Sequence, residues 1–508
     1  MNGWLYLVFC LVAGGAGSVE KPAEILVVDA ATNRGIPGAE LETTHNLVFV
    51  TDNAGRVAFH EPGLMGCELF FSIRCHGYEI PQHSFGFRGA KVTPLAGKVS
   101  TIRLKRIQPS ERLCRLTGEG RFRDSILLGY RVPDFASENQ GMVAGQDSVQ
   151  AIEYKGKIRW FWGDTLKLSH HLGLFQTAGA TTEIPGTDYD ASAGIPFRYF
   201  TDREGFARAM FPYSKVPGRL VWVFSLCVVP DSHGREKLLA HYTVRKDLMK
   251  EYEHGVAVYN DEKEIFESVS ELPLNETWRI PSGHPVPWED GGKKWLLMGS
   301  PTPCVRVPAT YEAVIDPKQY EAFTCAADVK DGKPSTPQLD PDGKPVWRWC
   351  RDLPPVDSEI EARWVKEGKI RPADARLCPV DVAGVEKGRI MLHSGTVRWN
   401  NHRKRWILVS SQTWGTPSFL GEVWYAEAKS PLGPWTQAVR VVTHEKQTFY
   451  NVCHHTFLDR HGGREIHFEG TYGNEFSGNP WKTPRYNYNQ VLYRLDLDDE
   501  AVRKARME

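Results

Sequence analysis

Residues 145–165 read GQDSVQAIEYKGKIRWFWGDT and contain the pattern that decides the fold. An apolar run leads into the polar turn YKGKI at residues 154–158, and a second apolar run follows it. Two apolar runs separated by a short glycine-bearing turn are typical of a β-hairpin. An acid flanks each run on the side away from the turn, Asp147 before the first run and Asp164 after the second. The stretch therefore predicts a hairpin with two carboxylates at its open end.

The same pattern recurs along the chain. Five polar turns, each followed by a strongly apolar strand, lie at residues 154–158, 230–234, 289–293, 399–403 and 459–463. Repeats of this spacing indicate propeller blades, so residues 112–498 are predicted to form a five-bladed β-propeller, with an array of β-sandwiches as the alternative. Residues of about 326–383 are rich in Pro, Asp and Lys, and a helix is expected around 358–367. We interpret them as an insertion after the third blade, over the propeller mouth.

Residues 23–105 show a different series of short strands. Glycine- and asparagine-bearing turns, GIPGA at 35–39 and TDNAG at 51–55, separate them. This spacing predicts an immunoglobulin/transthyretin-like β-sandwich. The two turns and the later Gly77-Tyr78 resemble the carboxypeptidase-regulatory modules, which implies a spacer or adhesion unit without catalytic residues. The predicted fold class is all-β, a sandwich followed by a propeller.

Charge and hydropathy limit the partners and the location. Lys+Arg and Asp+Glu both total 62 in the 508 residues, so the formal net charge is zero. A nucleic-acid groove needs a basic excess, so nucleic acid is not expected as a partner. Residues 1–18 resemble a signal peptide because an apolar run ends in small residues, which predicts export to the periplasm or the extracellular space. No later segment looks transmembrane, and the oligomeric state is not predicted.

The cysteines show no metal-type spacing. Nine of the ten follow the predicted signal peptide, and no C-x-x-C occurs. An odd number predicts mostly buried free thiols with one or two disulfides, for which Cys304 with Cys325 and Cys350 with Cys378 are the candidate pairs. No catalytic metal or cofactor is predicted, while a structural calcium ion near the propeller axis is left open.

Antiparallel pairing locates the acids of the first hairpin. With the turn centred on Gly156, Asp147 lies opposite Thr165 and beside Asp164. Both carboxylates are therefore predicted at the open end of one hairpin, although each alone also fits a turn cap.

The fifth hairpin gives a similar prediction. With its turn centred on His461, Glu469 lies opposite Cys453 and Asn451 lies opposite Thr471. Because the first and last blades of a ring are neighbours, the three acids are predicted to meet at one axial mouth. The alternative for Glu469 is an ion pair with an arginine.

Glycoside cleavage needs two carboxyl groups that flank one bond. One protonates the leaving oxygen, and the other activates water or attacks the sugar. A third acid nearby raises one pKa by like-charge repulsion. The three acids at the predicted mouth therefore favour a glycosidase.

Residues 120–497 resemble the five-bladed propeller glycoside hydrolases, the broad group of arabinanases and levanases. Asp147 at the start of an inner strand, the form W-x-x-G-D-T at 160–165, and a blade element at 421–435 carry the resemblance. It implies that Asp147 is the base or nucleophile. The family's third-blade acid has no counterpart, since residues 282–284 are Ser-Gly-His. Glu469 is thus the candidate proton donor with Glu422 in reserve, and Asp164 tunes one of the pair or is itself catalytic.

Further side chains are candidate substrate contacts, namely Arg123, Asp124, Trp162, Glu422, Asn451 and His455. Arg123 and Asp124 could instead pair with each other, and Trp162 and His455 could belong to the core. The predicted function is an exported glycosidase acting on a polysaccharide or oligosaccharide. A non-catalytic carbohydrate-binding propeller is the first alternative. A polysaccharide lyase using His455, Tyr472 and Arg123 is the second.

Overall fold

The computed structural model describes residues 21–136, 141–213, 215, 218–248 and 250–505. Strands make up 44% and helices 9%, which confirms the predicted all-β class. The predicted signal peptide at residues 1–18 lies outside the described residues. Within the described ranges, no helix is both long and apolar enough to cross a membrane.

Two four-stranded sheets form the N-terminal part. In sheet order their strands are Arg56–Phe59, Ala23–Asp29, Val99–Arg106 and Tyr78–Glu79, and Val48–Val50, Glu40–Thr43, Leu69–Arg74 and Gly89–Val92. The sheets share one buried cluster, to which Ile25 and Leu104 contribute from the first sheet and Leu41 and Phe71 from the second. Burial alternates along Arg56–Phe59 and most of Leu69–Arg74, as expected for strands with one apolar face, whereas Ala23–Asp29 is buried along nearly its whole length.

Five larger sheets follow, numbered here in chain order. Sheet 1 contains Gln150–Tyr154, Lys157–Trp162, Ala178–Glu183 and Arg198–Tyr199; sheet 2 contains Leu220–Pro230, Glu236–Arg245, Glu251–Asn260 and Ile265–Glu271; sheet 3 contains Val286–Asp290, Lys293–Met298, Val305–Pro308, Glu321–Thr324 and Arg348–Cys350; sheet 4 contains Leu392–Asn400, Arg405–Gln412, Val423–Ala428, Gln437–Val442 and Val380–Asp381; sheet 5 contains Thr448–His454, Glu465–Gly473, Asn489–Asp496 and Glu111–Arg115. Two small sheets accompany them, Val143–Gln146 with Thr165–Lys167 and His170–Leu174, and Ala326–Lys330 with Lys333–Pro337.

Buried apolar clusters join these sheets in a cycle. Separate clusters lie between sheets 1 and 2, 2 and 3, 3 and 4, 4 and 5, and 5 and 1. Neighbouring residues of an internal strand enter different clusters in every sheet: Trp160 and Phe161, Leu238 and Leu239, Leu296 and Leu297, Leu408 and Val409, and Val491 and Leu492. Successive side chains point to opposite faces, so both faces of each sheet are covered. This explains why the strands are continuously apolar rather than alternating.

Sheet 5 contains the first strand of the region that sheets 1 to 5 occupy together with its last three strands. Glu111–Arg115 pairs with Asn489–Asp496 in antiparallel register, with Val491 opposite Arg115 and Leu492 opposite Cys114. The early strand thereby completes a sheet whose other strands come from residues 448–496.

The predicted insertion connects sheets 3 and 4 through added strands and a helix. The predicted helix is confirmed at Ser358–Lys366, where the Asp357 carboxylate accepts a hydrogen bond from Ile360 N and Trp364 is buried. The other α-helices of the described residues are Arg123–Leu127, Tyr311–Val314 and Glu500–Arg503. No described residue of 326–383 is among those that line the central cavity.

The first hairpin is shifted by one residue from its predicted register. Tyr154 pairs with Lys157, which leaves Lys155 and Gly156 as a two-residue turn with φ of 50° and 73°. Such turns require positive φ at both positions. Because the turn has two residues rather than one central residue, Asp147 lies opposite Asp164 and not opposite Thr165.

The fifth hairpin confirms one predicted pair and contradicts the other. Cys453 pairs with Glu469 as predicted, but a β-bulge follows Tyr450, and Tyr450 rather than Asn451 pairs with Thr471. Asn451 has a φ of 52°, which is where the strand accommodates the extra residue.

The predicted disulfides do not form. All nine cysteines of the described chain are free thiols, and Cys304, Cys325, Cys350 and Cys378 are among them. Cys325 is fully buried, and the Cys378 thiol donates a hydrogen bond to the Ser358 carbonyl at 3.1 Å. Proximity along the chain does not bring these thiols within bonding distance.

The N-terminal sheets dock firmly on the rest of the chain. The Glu40 carboxylate accepts hydrogen bonds from Trp481 Nε1 at 2.7 Å and Thr483 Oγ1 at 2.5 Å. The Asn53 side chain exchanges two 2.9 Å hydrogen bonds with the backbone of Arg115. These contacts hold the N-terminal sheets against sheet 5 and against the segment that precedes its strand Asn489–Asp496.

Candidate functional site

One cavity of about 980 Å³ lies where sheets 1 to 5 converge. Its polar lining comes from all five: Asp147, Ser148 and Asp164; Lys246 and Asp247; Ser282 and His284; His393 and Ser394; and Tyr450, Asn451, Glu475 and Tyr488. Aromatic side chains also line it, namely Phe175, Trp222, Phe224, Phe419 and Phe476. A large pocket with apolar walls and a few convergent polar groups is typical of a small-molecule site.

Asp147 and Asp164 face each other across the open end of the first hairpin. Gly163 N donates to the Asp147 carbonyl at 2.9 Å. A Cβ at position 163 would lie 2.4 Å from Asp147 Oδ1, so only glycine permits this approach. The hairpin therefore places two carboxyl groups side by side on the cavity wall.

The environment of Asp147 favours its protonated form. Burial and the negative charge of Asp164 raise the pKa of Asp147 to about 7. Hydrogen bonds oppose this shift, including one from the Tyr450 hydroxyl to Asp147 Oδ2 at 3.3 Å and one from Tyr488. A carboxyl whose pKa lies near neutrality is suited to acid–base chemistry.

Asp164 connects the first hairpin to sheet 2. Burial raises the pKa of Asp164, and the Trp222 indole opposes this by donating Nε1–H to Asp164 Oδ1 at 2.9 Å. The two acids thus interact as a pair, and their protonation states depend on each other.

Asn451 ties three sheets together at the cavity wall. Its amide Nδ2 donates to Ser148 Oγ at 2.6 Å, and its backbone N donates to Ser394 Oγ at 2.9 Å. The bulge in Thr448–His454 turns this residue toward the cavity, as its prediction as a substrate contact requires.

Glu469 is separated from the other two predicted acids. It is fully buried and is not among the residues that line the cavity. Its Oε1 lies 2.6 Å from His455 Nε2, and the other nitrogen of His455 lies 3.8 Å from Cys453 Sγ. The structure brings Asp147 and Asp164 together and places Glu469 and His455 behind the wall.

Two of the remaining predicted contacts are core residues. Trp162 is buried and stacks on Trp160 and Tyr199. The buried Glu422 carboxylate accepts a hydrogen bond from Ser418 and pairs with Arg440 at 3.0 Å. Neither of the two lines the cavity.

Arg123 and Asp124 lie at the contact with the N-terminal sheets. The Asp124 carboxylate accepts from Ala58 N at 3.0 Å and pairs with Arg123 and Arg485, each at 3.0 Å. Their mutual pairing, the alternative considered for them, is what the structure shows. Both lie outside the cavity lining.

Several lining residues escaped the sequence prediction. Trp222, Tyr450 and Glu475 belong to no recognisable sequence motif. They reach the cavity because sheets that are distant in the chain converge there. Among the described residues, no group of three or more His, Cys, Asp or Glu side chains is arranged to hold a metal ion.

Comparisons with known proteins give only distant similarities. No protein family and no curated protein matches the chain. Among solved structures, a protein from Bacteroides ovatus is 13% identical, with 72% of this chain and 90% of that chain covered and a TM-score of 0.41. A GH93 α-L-arabinofuranosidase of Fusarium graminearum, complexed with arabinobiose, is 11% identical (77% and 99% covered, TM-score 0.37). An exo-1,5-α-L-arabinanase from a bovine ruminal metagenomic library is 9% identical (72% and 97% covered, TM-score 0.36).

Proposed function

We propose that sheets 1 to 5 are the blades of a five-bladed β-propeller, and that the chain is an exported glycosidase. The cyclic series of buried clusters and the pairing of Glu111–Arg115 with the last strand support the propeller. In this arrangement the cavity is the axial mouth of the ring, and the N-terminal sheets form a docked sandwich.

The pairing of Asp147 with Asp164 in the cavity is the observation that carries the proposed activity. Asp147 acts as base or nucleophile, and burial together with the negative charge of Asp164 raises its pKa. Because the pKa of Asp147 is about 7, the carboxylate form needed for either role predominates above that pH. Tyr450 and Tyr488 hold the carboxylate in place by hydrogen bonds.

The remaining lining suits a sugar. Trp222 and Phe224 present apolar ring surfaces, while Ser394, Asn451 and Lys246 supply hydrogen-bonding groups on other sides. Apolar faces combined with polar edges are what a pyranose or furanose ring requires. We therefore propose an O-glycosidic bond of a polysaccharide or oligosaccharide as the substrate.

The test is reducing-end release from a panel of polysaccharides and aryl glycosides. We expect the wild-type protein to cleave at least one substrate and Asp147→Asn to lower kcat/KM at least ~100-fold, because a general base or nucleophile is removed. Asp342→Asn, which makes the same change at an exposed turn, serves as the control and should retain activity.

Two results would count against the glycosidase. If Asp147→Asn cleaves as fast as the wild type, the carboxyl pair is not the catalytic centre. If no substrate is cleaved but one glycan is bound, and Trp222→Ala abolishes that binding, the cavity is a carbohydrate-binding site without hydrolysis.

A further inference from the structure

A row of four titratable side chains runs from the cavity wall into the core. His284 lines the cavity, and its Nδ1 lies 3.6 Å from Cys453 Sγ. Cys453 Sγ lies 3.8 Å from His455 Nδ1, and His455 Nε2 lies 2.6 Å from Glu469 Oε1. The row joins the segment before sheet 3 to sheet 5, and neither the carboxyl pair nor its hydrogen bonds use it.

Three members of the row are almost completely buried. Cys453, His455 and Glu469 are 1%, 2% and 0% exposed. Burying ionisable groups costs free energy unless they interact with each other. Glu469 Oε2 has no hydrogen-bond partner within the described part of the chain, so His455 is the group that compensates this carboxyl.

The Cys453 thiol and the His455 imidazole stabilise each other's charged forms. Burial by itself would raise the pKa of the Cys453 thiol, but the imidazoles of His284 and His455 lower it well below its usual value. Burial opposes the charged form of His455, yet Cys453 and Glu469 raise its pKa to about 10. Burial raises the pKa of Glu469 against the influence of His455. A thiolate beside His284 is the state that this arrangement favours.

The position of His284 complements that of Asp147. Its Nδ1 is directed at Cys453, and its Nε2 has no partner within the described residues, so Nε2 is free to meet a substrate. Sheets 1 and 3 are not neighbours in the cycle, so Asp147 and His284 line the cavity from separate sides. The Arg398 guanidinium donates a hydrogen bond to the His284 carbonyl at 3.2 Å and is a further charged group packed against this segment.

We propose that His284 is the proton donor of the glycosidase, and that Cys453, with His455 and Glu469 behind it, positions its ring. This inference rests on the proposed function. The Cys453 thiolate accepts the hydrogen bond from Nδ1–H, which leaves the proton on Nε2 for transfer. In the same way, a carboxylate orients the imidazole in a Ser-His-Asp triad.

The step balances as an ordinary hydrolysis. The glycosidic C–O bond breaks, and its electron pair stays on the leaving oxygen, which takes the proton from His284 Nε2. In a direct route, water adds to the anomeric carbon and loses its proton to Asp147, and both residues then exchange protons with solvent. In a two-step route, Asp147 first forms a glycosyl ester; water then breaks this ester, which releases the Asp147 carboxylate, and gives its proton to His284 Nε2, which restores the starting state.

The leaving group of the substrate tests the donor. The sugar is the one that the wild type cleaves, attached either to dinitrophenol or to a second sugar. We expect His284→Gln to lower kcat/KM for the sugar–sugar bond ~100-fold or more and for the dinitrophenyl glycoside less than about tenfold, since dinitrophenolate leaves without a proton. Added imidazole should restore part of the lost activity.

Two outcomes separate this proposal from the proposed function. Equal losses on both substrates, or no loss on either, would overturn the role of His284 while the glycosidase stands. A wild-type protein that cleaves neither substrate would instead refute the proposed function.

The role of Cys453 has its own test, with the same two substrates. An imidazole ring that Cys453 no longer holds delivers its proton less well, so we expect Cys453→Ala to lower kcat/KM for the sugar–sugar bond ~10-fold or more and for the dinitrophenyl glycoside much less. Cys227→Ala removes another buried thiol, which lies in sheet 2, and should leave the activity on both substrates unchanged. Equal losses on both substrates in Cys453→Ala would show that Cys453 only fills space.

Discussion

At the scale of single residues, Asp147 combines a functional position with a cost in stability. Its pKa is raised to about 7, so the folded state binds the proton more tightly than the unfolded chain. The resulting stabilisation is complete below the ordinary pKa of an aspartate and is lost as the pH rises through about 7. At pH 8 the wild-type protein therefore holds the ionised carboxylate of Asp147 in a buried position beside the negative charge of Asp164, which costs stability.

This leads to a prediction about stability that does not depend on the activity. We expect Asp147→Asn to raise the unfolding free energy by ~1–3 kcal/mol at pH 8, with a smaller difference at pH 5 that disappears only below the ordinary pKa of an aspartate. Calorimetric Tm values at the two pH values measure it. Asp342→Asn, at an exposed position, should show no such pH dependence. A lower Tm for Asp147→Asn at pH 8 would contradict the unfavourable charge.

The sequence located part of the site and missed the rest for identifiable reasons. Asp147 and Asp164 belong to one hairpin, so local pairing was enough to bring them together. Glu469 lies in a strand that is buried on both faces. Its sequence therefore lacks the apolar–polar alternation that would indicate which side chains face a cavity. Tyr488 and His284 reach the wall from segments far apart in the chain, and no local pattern carries that information.

At the scale of elements, the β-bulge in Thr448–His454 decides which side chains reach the cavity. Asn451 adopts a φ of 52°, where a residue with a branched Cβ is strained. Without the bulge, Tyr450 and Asn451 would exchange faces. The hairpin pattern predicted the strand and one of its pairs, but a one-residue irregularity leaves no mark on apolar periodicity.

The bulge gives a testable prediction. Asn451→Val and Asn451→Gly both lose the amide hydrogen bond to Ser148, but only valine is strained at positive φ. We expect the valine variant to be less stable than the glycine variant by ~1–3 kcal/mol, as measured by urea denaturation. Equal stabilities would mean that the strand can straighten at low cost.

At the scale of the whole molecule, the contact between the N-terminal sheets and sheet 5 is part of the fold. Glu40 is buried there and accepts from Trp481 and Thr483, and the Arg74 guanidinium lies 3.9 Å from the Trp481 ring centre. A spacer module, as the resemblance implied, would be joined only through its linker. The sequence predicted the sheets on either side but contained no signal for the surface between them.

Truncation of one acid tests this contact. Glu40→Ala leaves the buried Thr483 hydroxyl and the partly buried Trp481 indole without an acceptor, so we expect a loss of ~2–4 kcal/mol in unfolding free energy. Glu42→Ala removes the other partner of Arg74, whose pair is partly exposed, and should cost less than about 1 kcal/mol. Chemical denaturation of both variants gives the comparison. Similar losses would indicate that the contact contributes little.

The pairing of Glu111–Arg115 with Asn489–Asp496 also governs how the chain is made. The ribosome releases the first of these strands long before the second, so Leu113 and Cys114, buried in the finished protein, have no partner strand during most of translation. The N-terminal sheets end at Arg106 and can assemble at once. A nascent chain stopped before residue 489 therefore presents an unpaired strand edge, the kind of surface that chaperones bind and that aggregates grow from.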